Sequence, residues 1–209
     1  MFTVQKFFSK DDKFYDLLEA SAEESGRSVQ ALTRVLAHPD KIPSLAEFHQ
    51  SKEADKKITE QISEALIDTF VADLEREDIE ALSEVLYKIP KTVEKFAERF
   101  IVSSRIVRHV NFNTHVSLLQ RATDTITEMV KQLRKKPTVE FVKGLNASLQ
   151  KTEAEADDLI ISVLEDLYSG KHEGTTVLAL KDLYELLEKV IDRCRDAGNV
   201  VTQIVLKSS

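Results

Sequence analysis

The chain has 209 residues, 42% of them hydrophobic, and 29 Lys and Arg against 36 Asp and Glu give it a formal net charge of −7. The acidic balance argues against a general nucleic-acid binder, which needs a clustered basic surface, and against adsorption to an anionic membrane by charge alone. Cys194 is the sole cysteine, so no disulfide can form within the chain and a cytoplasmic setting is the simplest reading.

That length suits one domain or two small ones packed together. Five glycines and four prolines are few, and Leu, Glu, Lys and Ala dominate, which favours helix over sheet. No apolar run approaches the length of a membrane span. The start, MFTVQKFFSKDDKF, lacks the long apolar region and small-residue cleavage site of a secretory signal.

Ser9 with Asp12 three residues on resembles a helix start. From there Phe14, Leu17, Leu18, Ala22, Val29, Leu32, Val35 and Leu36 recur at helical spacing. His38-Pro39-Asp40 ends this first helix, because a residue before proline resists the α region. Pro43 and Ser44 open a second helix, predicted to run to about Asp73 with Leu45, Phe48, Ala54, Ile58, Ile62, Leu66 and Phe70 on one stripe. Acids at Glu75, Glu77 and Asp78 suit the next N-terminus. This third helix is predicted to reach Arg108, with Pro90 as an internal kink. Residues 110–114 form the break in mid-chain. The fourth helix ends in a basic turn near Lys135, Pro137 begins a fifth that ends near Gly170, residues 171–175 turn, and a sixth closes the chain near Leu206. No segment shows strand alternation.

The two halves resemble each other. SKEADKKI (51–58) answers to EAEADDLI (153–160), and the apolar phase of 79–91 answers to that of 180–192. Two copies of one three-helix unit explain this, and chance similarity between helical sequences of like composition is the alternative. The second half carries Glu153-x-x-x-Asp157 and Glu188-x-x-x-Asp192. Each pair lies on one helix face, so two such pairs on adjacent helices would form a hard, oxygen-rich site for Mg, Ca, Mn or iron. The same spacing also recurs on ordinary solvated helix faces. On this alignment the first-half equivalents are Ser51, Asp55, Tyr87 and Lys91, one carboxylate of four. Beside the bend at Pro90, either loss of a metal has relaxed the constraint on this turn or Lys91 offsets Asp55 and neighbouring acids in the ion's place.

Other chemistries find little support. None of His38, His49, His109, His115 and His172 has the glutamate three residues before it that a ferritin-like di-iron site needs. Neither phosphate-binding glycine motif occurs. Cys194 lies in a predicted helix with no assignable base and reads as a small buried thiol.

Phe14-Tyr-Asp-Leu-Leu-Glu19, the Glu-Ala-Asp helix, Asp68-Thr-Phe70 leading to Arg76-Glu-Asp-Ile79, and Leu183-Tyr-Glu-Leu-Leu-Glu188-x-x-x-Asp192-Arg-Cys-Arg-Asp-Ala-Gly-Asn199 resemble the PhoU-like phosphate-transport regulators. The branch found beside Pit-type phosphate permeases is the closest in motif order. The resemblance implies an all-α fold of two three-helix bundles related by an internal pseudo-repeat, at 1–110 and 111–209. It implies metal, divalent or ferric, at Glu153, Asp157, Glu188 and Asp192, with the first-bundle site degenerate. It further implies a non-enzymatic regulator or accessory of inorganic phosphate transport, cytoplasmic or peripheral to the inner membrane. Its partner would be a Pit-type permease, with no nucleic acid, no direct membrane insertion, and self-association most simply as a dimer. The competing readings are a metal-dependent hydrolase, a metal-storage protein, or a helical scaffold whose metal sites have decayed.

Overall fold

The computed structural model describes residues 10–38, 44–69 and 72–208, which form six α-helices with no strand among them. In chain order they are α1 (Lys10–Ala37), α2 (Ala46–Ile67), α3 (Arg76–Val107), α4 (Asn113–Leu133), α5 (Val139–Leu167) and α6 (Gly174–Lys207). Expectations for Ser9, Pro39, Asp40, Pro43 and Phe70 lie outside the described residues.

The boundaries have local causes. Ser44 Oγ accepts from the Ala46 amide at 3.1 Å, and Asn111 Oδ1 accepts from the Asn113 amide at 2.8 Å. Thr138, just after Pro137, caps α5 by accepting from the Phe141 amide at 3.3 Å. Gly170 takes φ +81° in the turn after α5, a conformation that favours glycine. α2 stops at Ile67, six residues short of the predicted Asp73. Its buried stripe is complete at Leu66, and Ile67 is 77% exposed. Arg76 Nη1 then donates to the Thr69 carbonyl at 2.9 Å and ties the connection to the start of α3. Pro90 has no amide to offer the Leu86 carbonyl, yet α3 runs unbroken through it with Pro90 buried.

α1, α2 and α3 pack on one another, as do α4, α5 and α6, and the two bundles meet along α3–α6 and α1–α4. Polar contacts fasten the α1–α4 seam. Thr127 Oγ1 donates to the Ala22 carbonyl at 3.3 Å, Lys131 pairs with Glu23 at 2.8 Å, and Arg134 reaches Asp16 and Glu19 while lying over the Tyr15 ring. On the α3–α6 side, Phe96, Phe100, Phe112 and Tyr184 form a chain of ring contacts 5.2–6.2 Å between centroids.

Burial shows how the halves correspond. Leu18 and Leu119, Leu32 and Leu133, Phe48 and Leu149, Leu66 and Leu167, Leu82 and Leu183, Leu86 and Leu187 are all buried, each pair 101 positions apart. One offset therefore serves all three helices of each bundle. Fully burying each such side chain is worth about 1.5–3 kcal/mol, so the repeat is a repeat of the core.

Candidate functional site

α5 and α6 set the four predicted acids beside one another. Glu153 and Asp157 stand one turn apart on α5, Glu188 and Asp192 one turn apart on α6, and their charges act across the groove. Burial, then Asp192 and Asp157, push the Glu188 carboxyl up to about 7, with Arg195 opposing. Asp157 is raised by desolvation first, then by Glu153 and Asp192, again against Arg195. Converging carboxylates repel, and each makes its neighbour harder to ionise.

The cation in this cluster is Arg195, one turn beyond Asp192. Its guanidinium pairs with Glu153 across the groove, with Asp192 at 3.1 Å, and with Asp196 at 3.1 Å. Among the described residues no three Asp, Glu, His or Cys side chains are drawn together closely enough to hold a metal ion. The donors are hard oxygens of the kind Mg, Ca, Mn or iron takes. Their arrangement, however, is organised around a guanidinium. Sequence reasoning passed over Arg195, although its place three residues after Asp192 puts it on the same helix face.

At the offset of 101, Glu153, Asp157, Glu188 and Asp192 correspond to Lys52, Lys56, Tyr87 and Lys91, and Arg195 corresponds to Glu94. The ion pair survives with its polarity reversed. Lys52 Nζ lies 2.9 Å from Glu94, linking α2 to α3 just as Glu153 and Arg195 link α5 to α6. Glu94 is buried and also receives His49 Nδ1. Lys91 is exposed over the Tyr87 ring, 5.5 Å from its centroid.

The pairing of Asp55 with Asp157, taken from the shared Glu-Ala-Asp, is therefore displaced by one residue. Asp55 corresponds to Ala156, and both are buried. A step of one residue turns a helix by about 100°. That rotation carries Asp55 from the α2–α3 groove to the α1 side, so Lys91 does not offset it. The groups acting on Asp55 belong to α1. Burial pushes its carboxyl up to about 7; Ser21 favours the charged form and Glu24 opposes it. Ser21 Oγ lies beside Asp55 without hydrogen-bond geometry, so neither Asp55 oxygen has a partner. One turn away, Ser51 Oγ donates to Glu24 Oε2 at 2.9 Å, and Arg27 pairs with Glu24 Oε1 at 2.7 Å.

Two other groups of possible chemical interest lie in the core. Cys194 is fully buried and its thiol is pushed up by that burial, as expected for an inert packing residue. His115, 4% exposed, lies against Tyr184 with ring centroids 4.7 Å apart and the rings tilted by 44°, and burial lowers its pKa to about 4. No described helix is long and apolar enough to cross a membrane.

With this arrangement in view, the fold is the one seen in PhoU-like proteins. Two crystal structures from Shewanella oneidensis MR-1 superimpose on it. One, titled a "putative PhoU-like phosphate regulatory protein", has a TM-score of 0.75 at 17% identity, covering 93% of this chain and 99% of that one. The other, titled a PhoU-like protein, has a TM-score of 0.76 at 16% identity with the same coverage. Among curated proteins, the "Putative pit accessory protein" of Rhizobium meliloti (strain 1021) is 22% identical over 222 aligned positions, spanning 98% of this chain and 97% of that protein. The UPF0111 protein YkaA of Bacillus subtilis (strain 168) is 22% identical over 143 residues, 67% of this chain and 68% of its own length. No family model matches the chain.

Proposed function

We propose that this chain is a non-enzymatic accessory or regulator of inorganic phosphate transport, working through protein contacts with a Pit-type permease at the cytoplasmic face of the inner membrane. The observation that carries this reading is the end-to-end similarity to a protein named for that accessory role. The PhoU-like fold supports it. The chemistry of the perturbed groups is consistent with it, since Cys194 and His115 are packing residues and the α5–α6 acids are engaged with Arg195. Deleting the gene should alter phosphate accumulation while leaving the permease's abundance near normal. Unchanged uptake under both phosphate starvation and excess would remove the reading. Self-association, most simply as a dimer, belongs to the same proposal, and light scattering of the purified chain tests it.

Glu153, Asp157, Glu188 and Asp192 remain the residues proposed to take a divalent or ferric ion. On this geometry the ion competes with Arg195 for Glu153 and Asp192. Elemental analysis of protein purified without chelator should find the ion, and alanine at both Glu188 and Asp192 should lower the metal content by the share of this site. Arg195→Gln should raise its occupancy, and occupancy indifferent to all three substitutions would dismiss the assignment.

A further inference from the structure

Where α1 meets α2, the first bundle buries polar side chains at positions that are mostly apolar in the second. Ser21, Ser25 and Ser28 are buried on α1, and 101 positions later stand Ala122, Ile126 and Met129. Across from them on α2, Ser51 and Asp55 are buried where α5 has Thr152 and Ala156. Asp55 is 0% exposed and neither carboxylate oxygen has a hydrogen-bond partner; Ser21 Oγ, also 0% exposed, has none either. A carboxylate in a dry interior is costly unless a positive charge meets it. No basic side chain acts on Asp55, and the charged neighbour it does have, Glu24, is another acid. Asp55 and Ser21 thus leave oxygen atoms without partners between α1 and α2, beside Glu24, whose own carboxylate is paired with Arg27 and Ser51.

We propose that the first bundle binds a small, hard cation between α1 and α2, held by Asp55, Glu24, Ser21 and Ser51. Two carboxylates and two hydroxyls offer only oxygen, which selects Mg2+, Ca2+ or Na+ over the softer transition metals. A cleft of about 520 Å³ opens between the same two helices, and Glu24 and Ser51 are part of its lining. That gives the ion a route inward past Glu24. At the mouth Arg27 pairs with Glu24, and Arg34 pairs with Glu47 at 2.7 Å, so the entrance carries no excess positive charge to repel it. The site does not duplicate the α5–α6 acids, because the counterpart of Asp55 is Ala156.

Thermal unfolding of the full chain, dialysed free of metal and titrated separately with MgCl2, CaCl2 and NaCl against choline chloride, tests the proposal. In the wild type at least one of the three cations should raise the midpoint by about 5 °C near saturation. Asp55→Asn, nearly isosteric, should fold and lose the shift. Ser21→Ala should weaken the apparent affinity several-fold, and the Glu188→Ala/Asp192→Ala double variant should keep the shift. A wild type indifferent to all three cations would overturn the proposal and leave a proton to neutralise Asp55. It is equally overturned if Asp55→Asn retains the shift while the double variant loses it.

Discussion

The two bundles share one core and differ in where they keep their charge. In the second, four carboxylates and an arginine lie in the α5–α6 groove, and the interior between α4 and α5 is closed by Ala122, Ile126, Met129 and Ala156. In the first, the equivalent groove has three lysines, a tyrosine and a glutamate, and the acid has moved inside as Asp55 among serines. Leucines at a fixed spacing hold both bundles. The difference teaches that one leucine core is compatible with either charge arrangement at the groove, where Glu94 meets Lys52 and Arg195 meets Glu153, whereas an interior acid needs its own neutralising device.

The largest expected effect tests an interior difference. Phe14 in the first bundle is replaced by His115 in the second. Its pKa of about 4 lies below the ordinary 6.5, so the unfolded chain protonates first. The stability contribution is complete above pH 6.5 and is lost as pH falls from there towards 4. The loss approaches about 3 kcal/mol for a shift of this size. His115→Phe should flatten that limb of a denaturation-versus-pH profile, and an unchanged acid limb would show that carboxylates alone produce it.

Next comes the close approach of α5 and α6. A Cβ on Gly198 would collide with Leu149 Cδ1 and stand 2.9 Å from Asn146 Oδ1, whereas Ala97 occupies the same place in the first bundle. Gly198→Ala should cost about 2 kcal/mol by overpacking, measured by urea unfolding, against about 1 kcal/mol for Ala97→Gly in the α3 interior. A Gly198→Ala cost below about 0.5 kcal/mol would mean that Leu149 and Asn146 yield to the added Cβ and that the contact is not overpacked.

A smaller effect tests the reversed ion pair. Glu153→Lys places a cation against Arg195 and should destabilise; Arg195→Glu alone sets another carboxylate beside Asp192 and Asp196 and should cost more, and combining the two should recover only the part that belongs to the 153–195 pair. A double-mutant cycle should give a coupling of about 1 kcal/mol for this partly buried pair, and zero coupling would make the polarity reversal incidental. Smallest of all, Lys91→Ala removes only an exposed contact with Tyr87 and should change stability by no more than about 0.5 kcal/mol. A larger loss would return Lys91 to the role of neutralising Asp55.

Helix number, order and the all-α class were legible because the apolar period is strong in every segment, and Thr138, Asn111 and Gly170 mark ends in ways that follow from local chemistry. The end of α2 was not, since Ile67 continues the apolar composition while facing solvent. The four acids were legible as i, i+4 pairs. Their organiser was not, because Arg195 reads as one more charge in a charged helix until Glu153 is seen across the groove. The register of the repeat was the subtlest point. Glu-Ala-Asp is a conspicuous tripeptide and suggests an offset of 102 for α2, but the buried residues require 101. A short polar motif identifies kinship; the apolar positions on either side determine which way its side chains face.

The seam between the bundles has a mechanical consequence. Because α1 meets α4 on one side and α3 meets α6 on another, neither bundle can swing about a single line of contact; opening one seam like a hinge would strain or break the other. Arg134, bridging from the end of α4 to acids on α1, acts as a latch on that motion. A partner gripping either bundle therefore works against both seams at once, and a hinge between the bundles is the motion this arrangement resists.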